Sequence, residues 1–253
     1  MKFRESNDIM NIRVTLQYDG TNYHGWQVQT GCETIQQKLS DAIFAVTGER
    51  TCPTGCGRTD SGVHAKNYVC NFHTDANIPP ERYAYALNTK LPPDIVCTKS
   101  EAVRDEFCSN RSAIKKRYIY RILNAEFPDV FESRYAWHYK HKLDAEKMRR
   151  EAAAFLGEHD FIGFAASGFS VKTTVRTIYS INVEKEKDII TIDVTGSGFL
   201  YNMVRIMAGT LVQIGGGIIR ESAADIIKSR NRERAGITAP ACGLRLEEVF
   251  YGE

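Results

Sequence analysis

An α+β fold in two halves is what this sequence predicts, and three observations predict it. Segments that alternate apolar and polar residues with period two are numerous and short. Hairpin-length links between them outnumber helical crossovers, which favours antiparallel sheet. The element content before Phe127-Pro128 is similar to that after it, although no repeat exists at the residue level. The expected layout is a loose tail over 1–10, an N-terminal half over 11–110 and a C-terminal half over 111–253.

The first strand is expected over Ile12–Tyr18, where alternation buries one face, and it ends at the turn dipeptide Asp19-Gly20. A loop rich in aromatic and amide side chains follows, Tyr23 to Gln29. Thr34 with Gln37 three residues later has capping-box spacing. Ile35, Leu39, Ile43 and Val46 then recur at helical spacing, and Gly48 stops the helix. Further strands are expected at Lys66–His73, Asp94–Val103 and Lys116–Leu123, with a short helix around Glu81–Leu87.

In the second half Asp144 caps a helix, Leu143 and Met148 have the spacing of a hydrophobic staple, and Gly157 ends the apolar face that runs to Phe155. Strands are expected near Thr174–Glu184 and Ile189–Val194, with Ile190, Ile192 and Val194 on one face. Gly196-Ser197-Gly198 then turns into a helix expected over Phe199–Ile214. A polar helix over Ala223–Arg230 and a strand over Leu244–Tyr251 close the chain.

Composition narrows the function classes. With 43% hydrophobic and 25% charged residues the chain supports a sizeable core rather than disorder. A net charge of +2 permits a nucleic-acid partner only through local basic surface. Seven cysteines without patterned spacing read as reduced thiols of an intracellular, cytoplasmic protein rather than a disulfide framework. The polar start lacks the apolar core of a signal peptide, and no apolar run approaches the roughly 20 residues that span a bilayer.

The most conspicuous stretch is Gly55 to Ala65, in which Arg58-Thr59-Asp60-Ser61 lies between glycines. A carboxylate so placed reads either as part of an ordinary surface turn or as a catalytic aspartate presented at a strand end. Asp60-Ser61-Gly62 spells the motif of aspartic proteases, but a second copy is absent and Arg58 favours an ionised carboxylate. Cys52, Cys56, His64, Cys70 and His73 suggest zinc, yet Cys70 and His73 sit three apart on a strand and point to opposite faces. No metal is expected. Gly196-Ser197-Gly198 is a strand-to-helix turn more readily than a phosphate cradle, and the full nucleotide fingerprints are missing, so no cofactor is expected.

Basic residues interleaved with aromatics, Lys115-Lys116-Arg117 with Tyr118 and Tyr120, fit phosphate contacts and stacking platforms for RNA, as well as a solvated face. Arg149-Arg150 and Lys228 to Arg234 add local charge. Arg205 lies in an apolar helix and is either exposed or in need of a carboxylate partner such as Asp60.

Gly57 to Ala65 resembles the signature of the TruA family of tRNA pseudouridine synthases. So do Gly25-Trp26-Gln27-Val28-Gln29, Lys116-Arg117-Tyr118-Ile119-Tyr120, Gly157-Glu158-His159-Asp160-Phe161, Phe199 to Arg205 and Ala239 to Leu244, in the family's order. Ser61 departs mildly, standing where many members carry alanine. The resemblance implies two ferredoxin-like (RNP-like) α+β halves that share a bent, mostly antiparallel sheet, with helices on one side and a central cleft. It implies that Asp60 is the catalytic aspartate, that Tyr118 stacks on the target uracil, and that Arg205 pairs with Asp60 and lowers its pKa. Arg58 would help push the base out of the stack, and Lys116, Tyr120 and His64 would be further RNA contacts. The implied substrate is uridine at positions 38, 39 and 40 of the tRNA anticodon arm, and the implied assembly is a homodimer.

Overall fold

The structure, a computed structural model, describes residues 9–168 and 171–252. Most of the expected tail, 1–8, lies outside the described residues. The chain divides into two units, one running to Ala113 and taking in the residues from Glu248 onward, the other spanning Ile114–Glu247.

The first unit contains β1 (Met10–Tyr18), α1 (Ile35–Thr47), β2 (Thr54–Gly55), β3 (His64–Thr74), α2 (Tyr83–Asn88) and β4 (Ile95–Val103). Strand β1 is central, antiparallel to β3 on one edge and to β4 on the other, and β2 adds a short antiparallel pairing to β3. Alternation works as expected: Ile12, Val14 and Leu16 are fully buried, while Arg13 points the other way and pairs with Glu101 of β4 at 2.6 Å. Helix α1 is capped by Thr34, whose hydroxyl accepts from the Gln37 N–H at 3.3 Å, and Gly48 closes it in the left-handed conformation. Only half of the capping box forms, because the Gln37 carboxamide donates forward to Asp41 at 2.8 Å instead of back to Thr34. Two buried asparagines in this unit satisfy each other and a neighbouring loop. Asn71 donates to Asn11 at 2.9 Å, and Asn11 in turn donates to the carbonyls of Arg104 and Phe107, tying the loop after β4 to the sheet.

The second unit contains β5 (Ala113–Leu123), β6 (Trp137–His138), α3 (Ala145–Ala152), β7 (Gly157–Asp160), β8 (Val175–Glu186), β9 (Ile189–Gly196), α4 (Met203–Gly215) and α5 (Ala223–Ser229). The order β5-β9-β8-β7 is antiparallel throughout, and the two-residue β6 runs parallel to its neighbour β5. Strand β10 (Leu244–Tyr251) belongs to both units, Leu244–Glu247 to the second and Glu248–Tyr251 to the first. Helix α3 packs on β8 and on α4, its Met148 fully buried. Helix α4 is buried almost all round, which is why it is the most apolar helix of the chain.

Several boundaries differ from expectation. Helix α4 begins at Met203 rather than Phe199, because Asn202 has a φ of 61° and cannot continue a right-handed helix. Helix α3 ends at Ala152 and passes through a single 3₁₀ turn over Ala153–Phe155. Gly157 therefore does not cap a helix. It opens β7, a strand too polar to read from hydrophobic alternation, with pattern Gly-Glu-His-Asp.

Asp160 at the end of β7 anchors this edge. Its carboxylate accepts from the Thr174 hydroxyl at 2.6 Å and the Ile162 N–H at 3.1 Å, and it pairs with Arg230. Burial raises its pKa, but the bonds from Thr174 and Ile162 and the Arg230 charge outweigh that and hold it below the usual carboxylate range. A depressed folded-state pKa contributes stability that is complete above the unfolded value of about 3.9 and is lost as pH falls through the folded one. Asp160→Asn is therefore expected to lower the urea midpoint at pH 7, and the deficit should shrink as the pH drops below about 4. A deficit of the same size at both pH values would show that the carboxylate charge is not what stabilises the edge.

Candidate active site

In the first unit the loops 20–26 and 57–63 lie backbone against backbone, and Asp60 sits on the second of them. The Trp26 N–H donates to the Thr59 carbonyl at 3.2 Å, and the Gly62 N–H to the Tyr23 carbonyl at 3.1 Å. The Ser61 hydroxyl donates to that same Tyr23 carbonyl at 3.2 Å, and the Tyr18 and Thr59 hydroxyls meet at 2.9 Å. The turn closes on itself through the Val63 N–H, which donates to the Asp60 carbonyl at 3.1 Å. Contact is so close that side chains are excluded at two points. A Cβ on Gly25 would stand 2.3 Å from the Thr59 oxygen, and one on Gly20 would stand 2.0 Å from the Val63 oxygen. Gly25 also has a φ of 80°, where other residues are strained.

Beneath the turn, Trp26 stacks on Tyr68 of β3 with ring centres 4.3 Å apart, and the Tyr68 hydroxyl donates to the Gly57 carbonyl at 2.5 Å. Both rings are buried, and burial pushes the Tyr68 phenol well above its ordinary pKa, so it remains a donor. The result is a half-buried Asp60 whose flanking backbone is fixed on both sides.

The sequence-predicted RNA residues of this unit separate. Arg58 is exposed, and among the described residues nothing hydrogen-bonds or pairs with its guanidinium. His64 is buried at 3% exposure, and its Nδ1 accepts from the Gly20 N–H at 3.0 Å. The same nitrogen lies 3.1 Å from Asp19 Oδ1, but a nitrogen that accepts cannot also donate there, and Asp19 takes the Thr21 N–H at 2.9 Å instead. The expectation that His64 contacts RNA is thus corrected: it seals the loop packing from inside.

In the second unit Tyr118 and Tyr120 share a face of β5, opposite Val194 and Ile192 of β9. Tyr118 is half-buried and meets Phe199 edge-on at 5.2 Å. Tyr120 is fully buried, and its hydroxyl donates to the Pro240 carbonyl at 2.8 Å, so the expectation that it contacts RNA is also corrected. Lys116 lies half-buried toward the start of the strand. Arg205, on the first turn and a half of α4, donates from Nε to the Ala239 carbonyl at 2.7 Å and from Nη1 to Asn202 at 2.8 Å. The Ala239 N–H returns a bond to the Arg205 carbonyl at 3.2 Å.

Three residues missed as site components follow from this. Asn202 and the Ala239-Pro240 pair aim Arg205 and fix Tyr120 through adjacent carbonyls. The signals were present: an asparagine, tolerant of the left-handed region, ahead of an apolar run, and a proline beside small residues. Other basic residues singled out from the sequence are engaged. Arg117 pairs with Asp193, Arg149 with Glu146 and Arg234 with Glu221. Among the described residues no three of His, Cys, Asp or Glu converge as a metal site, and no helix is long and apolar enough to cross a membrane.

Comparison with known proteins gives concordant matches. A family model described as tRNA pseudouridine synthase matches residues 15–109 and 152–252, which include Asp60 and Arg205 but not Tyr118. A tRNA pseudouridine synthase A of Acetivibrio thermocellus is 49% identical over 95% of this chain and 99% of its own length. A protein of the same name from Thermoanaerobacter sp. is 47% identical with the same coverage. A tRNA pseudouridine synthase A 2 of Clostridium perfringens is 49% identical, again over 95% and 99%.

The seat of Arg205 offers a test. Gly209 lies one turn along α4, and a Cβ there would stand 1.9 Å from the Ile237 carbonyl. Replacing a helical glycine by alanine ordinarily stabilises by up to about 1 kcal/mol. Gly209→Ala should instead destabilise by about 1–3 kcal/mol, because segment 237–239 must lift off the helix. Chemical denaturation checks the sign, and a raised midpoint would contradict the packing described.

Proposed function

The chain belongs to the tRNA pseudouridine synthase family, and on that premise we propose that it isomerises uridine to pseudouridine at positions 38, 39 and 40 of the tRNA anticodon stem-loop. We propose Asp60 as the catalytic carboxylate, Arg205 as its guanidinium partner in the working complex, and Tyr118 as the ring that stacks on the target uracil. Arg58 and Lys116 are proposed RNA contacts.

One observation carries this reading: Asp60 stands on a turn tied to a second loop by two main-chain hydrogen bonds and the Ser61 hydroxyl, and to strand β1 by the Tyr18–Thr59 hydroxyl pair, within the stretch that the family model matches. The reaction breaks the N–C glycosidic bond and forms a C–C bond within one nucleoside, so no electrons or groups are gained or lost. Such a rearrangement needs an ionised carboxylate held in a fixed place to attack the sugar or base or to remove a sugar proton, and a pre-set turn supplies that placement. The base must first leave its stack, which costs a few kcal/mol, and stacking on an aromatic ring returns about 1–3 kcal/mol. Tyr118 suits that role as a half-buried aromatic ring, perpendicular to Phe199, on a strand that also carries Lys115 and Lys116. The protein is further proposed to work in the cytoplasm as a homodimer, which sedimentation of the purified chain would check.

Tritium release from tRNA carrying 5-tritiated uridine tests the activity. Wild-type protein should release tritium, and Asp60→Asn should lose about 10³-fold or more, as expected when a group that forms or breaks bonds is removed. Arg205→Ala should lose about 10²–10³-fold in kcat with tRNA affinity little changed. Loss of affinity at unchanged turnover would make Arg205 an RNA contact rather than a partner of Asp60. Absence of release by the wild-type chain on every tRNA offered would refute the assignment.

A further inference from the structure

A hollow of ≈ 290 Å³ opens in the first unit beside the Asp60 turn. Trp26 and Gln36, both buried, form its floor, and the exposed Gln27, Cys52, Thr54, Arg58 and Asn110 stand around it. No carboxylate lines it. The floor is rigid: Trp26 is stacked on Tyr68, and the Gln36 carboxamide is bonded to Pro53, Gln27 and Val28 at 2.9–3.0 Å.

The polar groups around the rim are uncommitted or half-committed. Neither the Arg58 guanidinium nor the Asn110 carboxamide has a hydrogen-bond partner among the described residues. Gln27 donates to Gln36 at 2.9 Å, so its carbonyl oxygen is the group left to accept. One cation, two carboxamides and a hydroxyl without any anion are suited to a ligand that combines a phosphate with the hydrogen-bonding edge of a base. The volume sits at the lower limit of ligand pockets, about 300 Å³, which suits a single nucleotide and excludes a paired stem.

We propose that this hollow is a second nucleotide subsite, which takes a nucleotide flanking the target uridine in the same tRNA strand. The inference rests on the reading of the chain as a tRNA pseudouridine synthase. Geometry limits which nucleotide can enter. Arg58 precedes Asp60 by two residues, at most about 7 Å of chain, which is about two axial rises of a nucleic-acid strand at roughly 3.4 Å each. A strand that delivers one uridine to Asp60 therefore has its neighbour within reach of Arg58. Asn110, on the rim, reads the base edge and is a binding residue for substrate, with no part in the chemistry.

Two measurements on the full chain test this, with an unmodified tRNA transcript as the probe. In the first, iodoacetamide alkylation of Cys52 is followed by mass spectrometry in the Asp60→Asn protein, chosen because its turnover is expected to fall about 10³-fold or more. Saturating transcript should slow Cys52 alkylation at least tenfold. In the second, the exposed Asn110 is replaced by Trp to fill the hollow and by Ala to remove the carboxamide. Asn110→Trp should raise KM for the transcript about tenfold or more, the scale of one lost base contact, with kcat within twofold, and Asn110→Ala should raise KM less. Cys52 alkylating at its tRNA-free rate under saturating transcript overturns the subsite. So does a KM for Asn110→Trp within twofold of wild type. Failure of the underlying reading looks different: wild-type protein itself then makes no pseudouridine, and the subsite falls with it.

Discussion

Main-chain contact without side chains is the constraint on which the Asp60 region depends. A turn of small residues has no ladder of its own and would sample many conformations at a cost of roughly 1–2 kcal/mol per residue to fix. Here that cost is offset by a neighbouring loop close enough to accept and donate main-chain hydrogen bonds, and closeness requires glycine at positions 20 and 25. Trp26 stacked on Tyr68 fills the layer beside the turn while the Tyr68 hydroxyl satisfies a carbonyl of the turn. Burial of His64 is a further consequence, since a ring nitrogen is the acceptor available for the Gly20 N–H.

Much of the fold was legible in the sequence because the signals are local. Alternation in β1 and β9, the caps Thr34 and Asp144 and the stop at Gly48 each depend on side chains within a few positions, and the structure shows them all. What was not legible depends on distant partners. The polar strand β7 exists because β8 supplies its hydrogen bonds, which no pattern in Gly-Glu-His-Asp announces. The late start of α4 depends on Asn202, whose left-handed conformation is held while its carboxamide serves Arg205. At the site, the Asp60 turn could be singled out by composition. Which aromatic and basic residues remain available could not be, because spacing places Tyr118 and Tyr120 on one face alike. Only the Pro240 carbonyl, 120 residues away, shows that one is sealed in the core.

Charge is distributed in a way the net value of +2 conceals. Many of the arginines that read as basic clusters hold carboxylates or carbonyls of their own unit: Arg117, Arg149, Arg230 and Arg234 with acids, Arg232 with the Ala235 and Gly236 carbonyls. Exposed pairs of this kind contribute roughly 0–1 kcal/mol, so a phosphate can compete for the guanidinium. An arginine without such a partner needs no exchange before it binds. Arg58 is in that position, two residues from Asp60, which leaves an available guanidinium beside the turn.

The two tryptophans of the chain, Trp26 and Trp137, fall one in each unit. Trp26 is almost fully enclosed, packed flat on Tyr68 directly under the Asp60 turn, whereas Trp137 sits in β6, edge-on to Tyr120 and Tyr139. The molecule thus carries a built-in optical label for each half. Replacing either indole by phenylalanine would leave emission that reports on one unit alone, so the cooperativity of unfolding across the chain can be read without attaching any dye.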